Sequence, residues 1–280
     1  MGTEYIYVIL FILVSLIGFI VYLIKSFKDP IGKTIQFDDN LKIFLGGGCN
    51  SIVLTSEDGT KAIVVDTKYF KGAKNMRKEV SSSEITVINT HFHMDHARGN
   101  KLYHNSYVIS GSCLWKHWDF DTGHSKRPNK VLKSGEEINI KIGNEDVRII
   151  NMGSNHTSTD CVIYLKNRKI LMAGDIIWNK VHPMVLDSNC NITSWIKVLE
   201  KLDSQFEINT IIPGHGKISD KSALFEMREY FESIRDSVHD PEKLKLIKLK
   251  YKNYKSVPIT NSFGKTVKKI KKEIKLQGLK

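Results

Sequence analysis

Residues 90–96 read Thr90-His91-Phe92-His93-Met94-Asp95-His96. They follow directly on Ile85-Thr86-Val87-Ile88, a β-branched run that predicts a buried strand ending at Asn89. Three imidazoles and one carboxylate therefore lie within six residues, at a strand end where a loop can turn several side chains inward. Imidazole and carboxylate together suit borderline divalent metals. The bland alternative is a polar surface loop. Three histidines so close would be unusual surface decoration, and in a core they are costly without partners.

Working outward, the same arrangement recurs. His156 follows a strand expected over 147–150 and a Gly-Ser-Asn turn. Asp175 follows a strand expected over 169–172 and the pair Ala173-Gly174. His215 follows a strand expected over 208–212, inside Pro213-Gly214-His215-Gly216. Each alone is an ordinary loop residue. As a set they are polar residues at strand ends, which can converge on one rim of a layered structure.

Further strands are expected over 41–45, 51–55, 62–65, 107–109 and 161–165, with Glu57-Asp58-Gly59-Thr60 as a hairpin turn. Helices are expected over 70–81, 194–202 and 221–238; Trp195, Val198, Leu199 and Leu202 form one stripe of the second. Strands dominate early and helices late, which predicts layered α/β structure. Gly46-Gly47-Gly48 lacks the lysine and hydroxyl residue of a phosphate-binding loop and reads as a tight turn. The aromatic stretch 115–120 is a candidate pocket wall within an irregular excursion over 111–134.

The pattern His-x-His-x-Asp-His, followed by His156, Asp175 and His215, resembles the metallo-beta-lactamase superfamily across roughly residues 41–239. The resemblance implies a four-layer αβ/βα sandwich with metals between the edges of two sheets. It implies two divalent metal ions, with zinc as the default and iron or manganese as alternatives. His91, His93 and His156 would hold the first, Asp95, His96 and His215 the second, and Asp175 would bridge both. The implied activity is metal-dependent hydrolysis, in which a hydroxide shared by the metals attacks a carbonyl carbon or a phosphorus. Asp95 and Asp175 are the catalytic candidates, Asp95 orienting the nucleophile and relaying a proton. Lactamases of this family that use a second-site cysteine carry it where Asp175 stands, and those without it lack a bridging aspartate. The chain therefore resembles the broader hydrolase branch of thioesterases, lactonases, phosphodiesterases and nucleases. A small ester, thioester or lactone is the expected substrate. A phosphodiester, and a nonenzymatic metal-binding role, are the alternatives. Asp66, at the end of the 62–65 strand, is a candidate for orienting a ligand histidine, and His182 is a candidate for facing substrate.

The two ends differ from this middle. Residues 5–24 (YIYVILFILVSLIGFIVYLI) carry no charge and no proline, and as a helix would span roughly 30 Å. A transmembrane anchor is expected there. A cleaved signal peptide fits less well, because the leading MGTE has no basic residue. Lys25, Lys28 and Lys33 follow the segment, which places the catalytic domain in the cytoplasm by the positive-inside tendency. The net charge is +12 over 280 residues, yet residues 241–280 hold thirteen lysines against two glutamates. The preceding chain is nearly neutral, so nucleic-acid binding is only weakly supported. The basic tail can instead contact anionic lipid. The expected plan is an anchor at 5–24, a hydrolase domain at 33–240 and a basic tail at 241–280. Cys49, Cys113, Cys161 and Cys190 form no C-x-x-C pair, and most are expected to be free thiols, as in a reducing compartment.

Overall fold

Short β-branched runs dominate the chain from residue 34 to 216, and the central ones, such as those at 51–55, 61–65, 161–165 and 170–179, bury nearly every side chain, so they need a layer on both faces. The computed structural model describes residues 7, 10, 13–15, 18, 32–111, 126–256 and 260–278. Among these, the strands form two sheets. The first runs in order β1 (Thr34–Gln36), β2 (Leu41–Phe44), β3 (Ser51–Thr55), β4 (Lys61–Val65), β5 (Glu84–Asn89), β6 (Tyr107–Gly111) and β7 (Lys130–Leu132). It is antiparallel through β4 and parallel from β4 to β7. The second comprises β8 (Glu137–Ile142), β9 (Glu145–Asn151), β10 (Cys161–Leu165), β11 (Ile170–Asn179) and β12 (Thr210–Gly216), in the spatial order β12-β11-β10-β9-β8.

Alternation along each strand sorts side chains between layers. In β4, Ile63 and Val65 face the second sheet and meet Ile149, Ile163 and Met172, while Ala62 and Val64 face outward to Met76 and Tyr103. Helix α1 (Phe70–Lys78) covers that outer face. On the far side, Val162 and Leu171 meet Trp195, Leu199 and Leu202 of α3 (Ile192–Gln205) and Phe231 and Ile234 of α4 (Ser222–Asp236). Between them in chain order lies the short α2 (Met94–Ala97). The result is the expected αβ/βα sandwich.

Past residue 240 the chain continues as α5 (Pro241–Lys250) and α6 (Phe263–Leu276). Asp240 caps α5 by accepting from Lys243 N at 3.0 Å. Helix α6 sets Phe263, Thr266 and Ile270 into the same core as α4, and its lysines take the opposite face.

The expected transmembrane helix is corrected. Among the described residues no helix is long and apolar enough to cross a membrane. Spanning the hydrocarbon takes about 20 continuous helical residues. Within 5–24 only Tyr7, Leu10, Leu13, Val14, Ser15 and Gly18 are described, as helical; the rest of that segment lies outside the described residues. The single-pass membrane placement with a cytoplasmic domain is withdrawn with the anchor. The aromatic stretch 115–120 and Cys113 also lie outside the described residues. Cys49, Cys161 and Cys190 are buried free thiols.

Candidate metal centre

Parallel pairing of β4 with β5 brings their C-terminal ends together, so Asp66 meets Thr90. Asp66 leaves its strand with φ +57°. Its carboxylate accepts from Thr90 N at 2.8 Å and from Thr90 Oγ1 at 2.8 Å. His96 Nδ1 lies 2.7 Å from Asp66 Oδ2. A carboxylate can only accept, so Nδ1 carries the proton and Nε2 keeps its lone pair for the centre. The Thr90 hydroxyl has spent its hydrogen on Asp66, so His91 Nδ1, 3.1 Å away, donates to it. That leaves His91 Nε2 as a second inward lone pair.

The second sheet supplies the rest. His156 stands on the loop after β9. Asp160 ties that loop down, accepting from Thr157 Oγ1 at 2.8 Å, Thr157 N at 3.0 Å and Asn155 N at 3.1 Å. His156 Nδ1 donates to Met184 O at 2.9 Å, which again turns Nε2 inward. Asp175 lies within β11, which runs on past residue 172 with register shifts against β12. Gly174 before it takes φ +51°, and a Cβ there would stand 2.6 Å from Thr90 Cβ. Only glycine lets the second sheet approach the Thr90 turn this closely. His215 pairs with Trp178 across β11 and β12 and stacks on its indole at 4.2 Å. The indole Nε1 donates to Asp175 O at 2.8 Å.

All seven expected ligands meet at this rim. His91, His93, His156 and Asp175 offer donor atoms within 4.8 Å of one another, and so do Asp95, His96 and His215. Asp175 lies between the two groups. Its Oδ2 is 3.2 Å from His156 Nε2 and 3.8 Å from His91 Nε2, while Oδ1 is 3.1 Å from His96 Nε2 and 3.4 Å from His215 Nε2. His91 Nε2, His96 Nε2 and Asp175 Oδ1 are buried without a hydrogen-bond partner. Each such atom costs about 1–3 kcal/mol, and three left unpaired at one rim fit a site that takes cations. The residues present therefore suit a metal centre.

The profile of the Metallo-beta-lactamase superfamily matches residues 45–215. The chain belongs to this superfamily. It is a metal-dependent hydrolase of that group. A metallo-beta-lactamase type 2 of Bacillus cereus is 28% identical over 70% of this chain and 78% of its own length. A metallo-beta-lactamase from Pontibacter korlensis superposes with TM-score 0.59 at 15% identity, covering 71% of this chain and 97% of its own. A sec-alkyl sulfatase variant gives 0.64 at 12% identity, over 87% of this chain and 50% of its own. Both superpositions speak to fold alone.

Electrostatics divide the superfamily centre. Burial, with the neighbouring histidines, drives His91 well below its ordinary range. Burial pushes His156 down to about 3. Both are therefore neutral, the form that binds metal. Burial also works against charge on His96, but Cys49 and the carboxylates of Asp175, Asp66 and Asp95 outweigh it and lift His96 well above its usual value. His215 is likewise raised to about 10, because Asp175 and Asp95 overcome its burial. In turn, Asp95 and Asp175 sit well below the carboxylate range, since His96 and His215 overcome burial.

Of the other candidates, Asp66 orients His96 as described. His182 does not join the centre: its Nδ1 lies 3.0 Å from Tyr230 Oη, and its carbonyl accepts from Asn261 Nδ2 at 2.6 Å. Several neighbours escaped sequence reasoning. Asp187 Oδ2 is 3.8 Å from His93 Nε2. Asn50 joins the sheets by donating from Nδ2 to Pro213 O and Gly216 O, each at 2.9 Å. Buried Lys68 donates to the carbonyls of Phe44, Gly46 and Cys49 and so fastens the glycine turn. Cys49 forms a tight group with Asp66 and His96. None of these has a periodic or spacing signature; only Cys49 and Asn50 stand near the triple glycine in sequence.

Proposed function

We propose that this superfamily member is a binuclear hydrolase of a small ester, thioester or lactone. The supporting observation is Asp175, whose two oxygens face two separate imidazole groups. His91, His93 and His156 with Asp175 Oδ2 would hold one divalent cation, and Asp95, His96 and His215 with Oδ1 the other. Zinc suits these donors. Bound there, the cations would supply Lewis acidity and lower the pKa of water toward about 7.

The chain's own residues set the direction of approach. His91, His96, His156 and Asp175 are sealed, with side chains at most 2% exposed, whereas Asp95 is 28% and His215 21% exposed. Substrate thus enters on the side of Asp95 and His215. Asp95 is held ionised, with Oδ2 3.2 Å from His215 Nε2, so it can orient a water and accept its proton for transfer to the leaving group. Trp178 closes one face of His215 to solvent. Antibiotic lactams fit less well, because Asp175 stands where the cysteine-using lactamases are expected to carry their cysteine.

A hydrolysis panel on metal-loaded protein tests the proposal, with aryl esters, acyl thioesters, lactones and a bis-aryl phosphodiester. Turnover of a carbonyl substrate is expected, falling about 100-fold or more in Asp95→Asn. Cleavage of the phosphodiester alone would replace this reading with a phosphodiesterase. Two bound metals with no turnover would favour a binding role.

A further inference from the structure

A second, differently charged cavity lies beside α1. That helix and the turn Arg98–Leu102 pack side by side and enclose about 360 Å³. Lys71, Lys74, Arg98 and Lys101 line this space, and among the described residues no carboxylate does. The rest of its wall is apolar, mainly Phe70 and Leu102. The Arg98 guanidinium stands 4.8 Å from the Phe70 ring centroid, fixed against the ring, yet Phe70 remains 52% exposed.

Lysines of the first sheet find acids, Lys42 with Glu79 at 3.1 Å and Lys61 with Glu84 at 3.3 Å. Among the described residues Lys71, Lys74 and Lys101 form no ion pair. Like charges gathered around a concavity repel one another and focus a positive potential into it. A single carboxylate would balance one of these three lysines. A phosphate or diphosphate brings two or more charges and several acceptor oxygens, matching the donors lysine and arginine present. The volume is that of a small-molecule site, and the Phe70 and Leu102 wall asks for an apolar or aromatic body. Tyr69 connects this cavity to the metal rim. Its ring contacts Phe70 at 4.8 Å, and Gly48 packs between Tyr69 and the backbone of Asp95.

We propose that this cavity binds a phosphate-bearing small molecule with an aromatic body, of the nucleoside diphosphate type, at a site separate from the metal centre. Calorimetric titration of metal-loaded protein with ADP, and with inorganic pyrophosphate, tests it. The metal centre can itself attract phosphate, so the same titrations are run on His91→Ala. Saturable one-to-one ADP binding is expected in both proteins, with pyrophosphate weaker. In Lys74→Ala/Lys101→Ala, both exposed positions, ADP affinity should fall at least about tenfold through loss of two charge-assisted hydrogen bonds. Hydrolytic activity and metal content should stay unchanged. No saturable binding of either probe would overturn the proposal. So would ADP binding that disappears in His91→Ala but persists in the lysine variant, or binding to phosphatidic acid vesicles without binding to ADP.

Discussion

The two halves of the metal centre use the same kinds of residue in opposite surroundings. Around His91 and His156 the neighbours are other imidazoles, apolar packing and one nearby carboxylate oxygen of Asp175, and burial outweighs that oxygen and keeps both rings neutral. Around His96 and His215 the neighbours are Asp66, Asp95 and Asp175, and carboxylates hold positive charge there despite burial. One half offers lone pairs ready for a cation. The other already demands a cation and accepts protons in its place. Ligand type alone therefore does not describe a site; the number of carboxylates around each imidazole decides how each half answers to charge.

The largest test of this contrast is Asp175→Ala, which removes the group common to both halves. Metal content should fall from two to below one per chain, and hydrolysis by more than about 100-fold, beyond the loss typical of an outer-sphere partner. Elemental analysis and initial rates read both. A full equivalent retained would show that the halves are independent and that Asp175 does not bridge them.

Asp66→Asn probes one half. Asp66 holds His96 at 2.7 Å and touches no ligand of the His91 group except through Thr90. Competition against a chelator should show affinity in the Asp95, His96 and His215 half weakened about 10–100-fold, with the other half little changed. Equal losses in both would make the Thr90 turn, rather than the His96 pairing, the main work of Asp66.

The smallest effect belongs to a histidine outside both halves. Burial lowers His182, as it lowers His91 and His156. Its folded pKa lies below the unfolded value near 6.5, so its contribution to stability is complete above that pH and is lost as pH falls through the folded pKa. His182→Gln should flatten the fall in Tm below pH 6.5, by no more than about 4 °C, and leave metal content alone. A change in metal content would place His182 in the centre after all.

Much of the centre was legible because its candidate ligands sit where β-branched runs stop. β3 and β10 match the expected boundaries, and α1, α3 and α4 lie within three residues of theirs. Asp66 could be flagged for the same reason. Lys68, Asp187 and Cys49 could not, since they come from turns and loops whose geometry depends on tertiary contacts. β8 passed unnoticed although Ile138, Ile140 and Ile142 alternate with Glu137, Asn139 and Lys141, a strand pattern overshadowed by its charges. The lysines of α6 likewise masked a buried stripe through Phe263, Thr266 and Ile270. The apolar run at 5–24 carries a hydropathy signal, which measures composition; it does not establish a spanning helix.

The irregular course of β11 sets a limit on how this enzyme could be re-engineered. Strand side chains switch faces at every step, and Asp175 reaches the rim only because the chain turns at Gly174 and resumes pairing at Trp178. Deleting the residue at Gly174 would move the carboxylate one step off its place at the rim and set Ile176 there instead. Loop lengths elsewhere on the rim can be varied by graft or library, but this short stretch has to keep its length.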